Sequence, residues 1–278
     1  MMKTTQKLVK AADRYIEANG TKTFYLKAVE LLQKADLVKE FQFEELVTAS
    51  LKKSFNTVQN FSNFEFSDLP ITIARGNHCF IDIYFWRRRP TVIHNHHFTG
   101  AFQCLQGKNL DLEFKFKEKK KLGKYHATGE VEIIKSHMIG PGHIQAIAPL
   151  DKFIHQNHHH ADLTVNLCFR TSDVQKQHLS NYLFSGLRYE KNPKLLARVE
   201  RLFRFTSLGE FNPKKLELDI DDALSFLIST EGLETQNKNF LRLRELLAKR
   251  VKKETGLNIT KLFDLHETQL DKIQEEYE

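Results

Sequence analysis

Apolar residues recur at helical spacing from about Thr4 to Val58: Leu8, Ala11, Ala12 and Ile16, then Phe24, Ala28, Leu31 and Leu32, then Leu46, Leu51 and Phe55. The spacing predicts two or three amphipathic helices, broken at Gly20 and across Asp36 to Glu40. The turn-rich Asn60-Phe61-Ser62-Asn63 closes this region. Between about Pro70 and Thr171 the period falls to two. Ile81, Ile83 and Phe85 alternate with Asp82, Tyr84 and Trp86; Leu110, Leu112, Phe114 and Phe116 alternate with Asp111, Glu113, Lys115 and Lys117; Leu163, Val165, Leu167 and Phe169 repeat the pattern. Neighbouring side chains on a strand point to opposite faces, and turn signals at Gly107-Lys108-Asn109, Gly123, Gly129 and Gly140-Pro141-Gly142 divide the runs, so an antiparallel sandwich or barrel is predicted. Past Arg170-Thr171-Ser172-Asp173 the helical period returns in Leu195, Leu196, Val199, Leu202 and Phe203, in Ala223, Leu224, Phe226 and Leu227, and from Phe240 to Val251. Breaks are expected at Asn212-Pro213 and from Thr255 to Thr260. The chain therefore reads as residues 1–65 helical, 66–175 β and 176–278 helical, with Lys117 to Lys121 as a solvated hairpin tip.

The length of 278 residues admits one or two domains, and 41% apolar residues with 22 Phe give ample core material. No apolar run approaches the roughly 18 residues of a membrane span, and Met1 to Gln6 carry no apolar signal core, so a cytoplasmic protein without membrane contact is expected. Cys79, Cys104 and Cys168 are too scattered for a disulfide scaffold and read as buried thiols. A net charge of +7 raises the question of nucleic acid, but 35 acidic residues weigh against it. The basic group Arg242, Arg244, Lys249, Arg250, Lys252 and Lys253 reads as an exposed helix face paired with Glu245 and Glu254. Histidine changes the picture more than charge does, since ten of the 13 lie between His94 and His160.

Within that stretch, Pro90-Thr91-Val92-Ile93-His94-Asn95-His96 places two histidines at i and i+2, where a strand presents both imidazoles on one face and the pair can chelate one ion. His155, about sixty residues later and after the Gly140-Pro141-Gly142 turn, can complete a facial three-ligand set with open positions for water, substrate or dioxygen. His159 is a candidate neighbour or alternative ligand; His97 falls on the opposite parity, and Gln103 has the wrong parity relative to His96. His78, His126, His137 and His143 read as scattered polar positions.

These motifs resemble the cupin superfamily over roughly Pro70 to Thr171, and within it the cysteine dioxygenase, or thiol dioxygenase, type. His94, His96, Leu105 and Gly107 match its His-x-His and Leu-x-Gly motif, and Ile154-His155 matches its second motif. The resemblance implies a jelly-roll barrel, mainly β, flanked by N-terminal and C-terminal helices. It implies Fe(2+) on His94, His96 and His155, with Ni(2+), Mn(2+) or Zn(2+) as alternatives, and O2 with a small anionic, thiol-containing substrate as reactants. The germin-type metal-binding Glu has no counterpart at Gly100 or Ala101. Nor does the animal enzymes' crosslinking Cys, whose position is Ala101; their Ser, His and Tyr positions hold Cys168, Arg170 and Ser172. Cysteine itself is therefore not the substrate the pattern specifies.

An Arg can clamp a substrate carboxylate through two parallel hydrogen bonds. Arg170, on the parity of Thr164 and Asn166, is the catalytic candidate, ahead of Arg75 and of Arg87, Arg88 and Arg89, which read as a solvated turn. Two other functions stay open: a non-catalytic ligand- or metal-sensing module whose basic helical tail binds a protein or nucleic acid, and a non-redox metal enzyme such as an isomerase. A homodimer through the helical arms also stays open.

Overall fold

The computed structural model describes residues 1–52, 57, 59, 67–88, 90–172, 179–190, 193–208 and 216–277. Phe55, Val58, the turn at Asn60 to Asn63, Arg89, Asp173, the Asn212-Pro213 break and the boundaries at 65/66 and 175/176 lie outside them, as do the side chains of Leu195 and Leu196. The chain divides into two compact units, Met1–Phe114 with Ile133–Gln177, and Lys115–Glu132 with His178–Glu278.

The first unit opens with helices α1 (Met2–Asn19), α2 (Phe24–Ala35), α3 (Leu37–Glu40) and α4 (Phe43–Leu51). In α1 the buried residues Leu8, Val9, Ala12 and Ile16 form the expected stripe, and the helix stops at Gly20, whose positive φ of 73° favours glycine. The break over Asp36 to Glu40 is shorter than expected, because after left-handed Asp36 the chain turns helical again through Glu40.

Eleven strands are described: β1 (Leu69–Arg75), β2 (Cys79–Trp86), β3 (Ile93–His94), β4 (Gly100–Gln106), β5 (Asn109–Lys121), β6 (His126–Ile139), β7 (Ile144–Ile147), β8 (Ile154–His159), β9 (Thr164–Thr171), β10 (Ser180–Tyr182) and β11 (Leu187–Glu190). Five form an antiparallel sheet in the order β1-β2-β9-β4-β7, and the others form a closed barrel in the order β10-β11-β6-β5-β8-β3. Long β5 and β6 run through both units. Gly129, which reads as a turn in the sequence, lies inside β6, where its missing side chain leaves room for the Lys117 carbonyl of β5. Lys117 to Lys121 are exposed, but they form the end of β5 and not a turn.

Both faces of β2 and β9 are buried. Ile81, Ile83, Phe85, Val165, Leu167 and Phe169 join Leu8, Val9, Ala12, Phe24 and Ala28 in one core, with Phe24 edge-on to Phe169 at 5.3 Å. Tyr84, Trp86 and Cys168 face the other way, into an aromatic cluster with Phe98, Phe102 and Phe153. The alternation therefore separates two interiors, one closed by helices and one enclosing a site.

In the second unit the residues after 178 begin with β10 and β11, so the region expected to be largely helical carries two short strands first. Helices α5 (Pro193–Leu208), α6 (Ile220–Ser229), α7 (Lys238–Thr255) and α8 (Ile259–Tyr277) follow. Asp219 caps α6 by accepting from the Asp222 amide, and Asn237 caps α7. Their core is built on Leu224, Phe226, Phe240, Leu243, Leu247 and Val251. Arg244, Lys249 and Arg250 pair with Glu231, Glu245 and Glu254. His126 is not a scattered polar position: it is buried, with Nδ1 2.7 Å from Asp221. No described helix is long and apolar enough to cross a membrane.

Candidate metal centre

Short β3 pairs antiparallel with β8 so that His94 stands opposite His155. His96 follows two residues on, and one ring nitrogen from each of the three lies within 4.8 Å of the others. All three side chains are buried. The backbone and a carboxylate set two of the rings: His94 Nδ1 lies 2.8 Å from the Val92 carbonyl, and His155 Nδ1 lies 2.9 Å from Asp111 Oδ1. An Nδ1–H committed to an oxygen leaves the Nε2 lone pair facing the site, the arrangement usual for metal-binding histidine. Burial first, and then the neighbouring His94 and His155, hold His96 well below the ordinary imidazole range, so it is neutral at physiological pH.

The donor set fits an ion. Two nitrogens each about 2.1 Å from one metal, at angles between about 90° and 110°, lie about 3.0–3.4 Å apart. His96 Nε2 and His155 Nε2 are 3.0 Å apart. Without a metal, one of these nitrogens has to carry the proton that the other accepts.

The three rings border a cavity of about 40 Å³ whose other walls include Tyr84, Trp86, Phe98, Phe102, Asn157, His159, Asn166 and Cys168. Such a volume holds a few waters. Trp86 stacks on His159 at 4.8 Å, so His159 stands in the wall. Among the described residues, no Lys, Arg, Asp or Glu lines the cavity. Burial pushes the Cys168 thiol up to about 12, so it stays protonated.

Arg170 shares the site-facing parity of Asn166 and Cys168, as the sequence suggests, but does not line the cavity. It is buried, 3.3 Å from Asp82 and stacked between Phe80 and Phe98. Asp82 also accepts from Thr72 at 2.7 Å and from Tyr84, a wall residue, at 2.9 Å. Arg87 and Arg88 pair near the surface with Asp68 and Asp162, and Arg75 lies over Phe80.

Asp111 is a residue the sequence reading passes over. It alternates with Leu110 and Leu112 like an exposed strand residue, yet it is fully buried beside His155. Its parity, shared with Glu113, was visible; that this face turns inward depends on the pairing of Asp111 with Asn157 and of Glu113 with His155. His137 and His143 are not scattered either, since their rings stand 5.2 Å apart.

No family model and no curated protein sequence matches this chain. Among solved structures it is similar to hydroquinone 1,2-dioxygenase from Sphingomonas sp. TTNP3, at 8% identity over 38% of this chain and 66% of that one, with a TM-score of 0.30. It is similar to a cupin 2 conserved barrel domain protein from Rhodopseudomonas palustris, at 11% identity over 50% and 77% of the two chains, with a TM-score of 0.29. DMSP lyase DddQ from Ruegeria pomeroyi DSS-3 gives 11% identity over 46% and 58%, with a TM-score of 0.30. Likenesses this slight leave the chemistry to the site's own geometry.

Proposed function

We propose that this chain is a cupin-type metalloenzyme in which His94, His96 and His155 hold one non-haem iron, and that it is a dioxygenase acting on a small substrate. The convergence of three buried, oriented imidazoles on one point carries the reading. A ferrous ion held by neutral imidazoles supplies oxygen chemistry while leaving coordination positions for reactants. Ni(2+), Mn(2+) and Zn(2+) suit the same nitrogens, and metal analysis distinguishes them.

The protein's own contribution is orientation and exclusion of water. Asp111 holds His155 in one tautomer, and the Val92 carbonyl does the same for His94. The aromatic wall limits the site to a few waters and restricts what enters to a few heavy atoms, small thiols among them. Arg170 acts as a positioning residue, balancing the charge of Asp82 so that Asp82 can hold the Tyr84 hydroxyl at the cavity. No described wall residue is cationic, so the three imidazoles would hold the ion whose charge an anionic substrate needs.

The test is anaerobic reconstitution with Fe(2+), elemental analysis, and oxygen uptake with a panel of small thiols. One equivalent of iron in the three-histidine site and thiol-dependent uptake are expected, both lost in His94→Ala and His155→Ala. Parent protein that retains no transition metal, or variants indistinguishable from it, would sink the proposal. Metal binding without oxygen uptake would favour non-redox chemistry at the same centre.

A further inference from the structure

A second group of metal-ligating side chains lies outside the three-histidine set. Asp111 and Glu113, two apart on β5, share a face, and His137 on β6 meets them: one ligand atom from each lies within 4.8 Å of the others. Asp111 Oδ1 accepts the hydrogen bond from His155 Nδ1–H, while Oδ2, on a fully buried side chain, takes no hydrogen bond from any described residue. Both ring nitrogens of His137 are buried without a described partner, as is Nε2 of the adjacent His143. Buried polar atoms are rarely left so, and a carboxylate oxygen can be satisfied only by a proton donor or a cation. Lys135 donates to Glu113 at 2.8 Å, but its side chain is 51% exposed and can leave to water.

We infer that Asp111, Glu113 and His137 form a second site, for a divalent transition ion, with Asp111 shared between that ion and His155. Mixed carboxylate and imidazole donors suit Mn(2+), Fe(2+) or Zn(2+), whereas Mg(2+) and Ca(2+) prefer oxygen throughout. The inference stands independently of iron or oxygen chemistry at the first site. Its consequence is coupling: an ion on Oδ2 fixes the carboxylate whose Oδ1 orients His155.

The experiment is titration of chelator-stripped, full-length protein with Zn(2+), and separately with Mn(2+), followed by calorimetry and by elemental analysis after desalting. The parent should bind two equivalents, and His137→Ala and His94→Ala one each. Glu113→Gln, near-isosteric at a partly exposed position, should fold as the parent does and weaken only the second equivalent, by roughly tenfold or more. Two equivalents of parental affinity in both His137→Ala and Glu113→Gln would overturn the second site. So would a single parental equivalent abolished by His94→Ala, which would leave the first site intact. A single equivalent abolished by His137→Ala and untouched by His94→Ala would support the second site and count against the proposed function.

Discussion

Asp111 and Arg170 show how much one buried charge is asked to do. Replacing Asp111 with Asn keeps the shape and an acceptor for His155 Nδ1 but removes the charge that makes the imidazole a better donor. Iron affinity, measured by chelator competition, should fall by about 10- to 100-fold in Asp111→Asn; unchanged affinity would mean that His155 is oriented by packing alone. Arg170 and Asp82 form a buried pair, so removing one partner strands the other. Arg170→Met should cost about 3–5 kcal/mol in denaturant unfolding, and adding Asp82→Asn should restore most of it. A rise in KM with stability unchanged would instead make Arg170 a substrate clamp.

At the level of elements, the close approach of β4 to β9 leaves no room for a side chain at Gly100. A Cβ at Gly100 would meet the Phe169 carbonyl at 2.1 Å, a backbone atom that cannot swing aside. Gly100→Ala should therefore destabilise the protein by about 1–3 kcal/mol or more in chemical denaturation; a neutral result would show that β4 can shift. The i, i+2 spacing made the His94 and His96 pair legible although β3 ends at His94 and leaves His96 beyond the strand, and the helical stripe of α1 was equally plain, because each depends on spacing over a few consecutive residues. Asp111 and His137 were not legible. Their burial depends on which strands pair, and pairing is a property of several elements at once. Strands β10 and β11 were lost for a related reason: three or four residues are too few for a period to register.

For the whole molecule, buried histidines tie stability to pH. Burial pushes His158 and His266 down to about 4, and lowers His143 and His96 as well. An unfolded chain takes up these protons near pH 6.5, so between about 4 and 6.5 it binds more of them than the folded protein does, and stability rises with pH across that window. The contribution is complete above about 6.5 and is lost as pH falls toward 4, by roughly 3 kcal/mol at most for a group shifted as far as His266. His266→Asn keeps an acceptor for the Phe184 amide, now 3.2 Å from Nδ1, and should flatten the acid limb of the Tm profile by one group's share. Metal adds to the slope, because an ion competes with protons for the same imidazole lone pairs. At a hundredfold excess over Kd it should stabilise the protein by about 2.7 kcal/mol near neutrality, and by less where the histidines are charged. Scanning calorimetry of stripped and metal-loaded protein from about pH 4.5 to 7.5 measures both effects. A metal-induced rise in Tm that does not shrink toward acid would place the ion on ligands other than neutral histidines, and the three-imidazole centre would have to be abandoned.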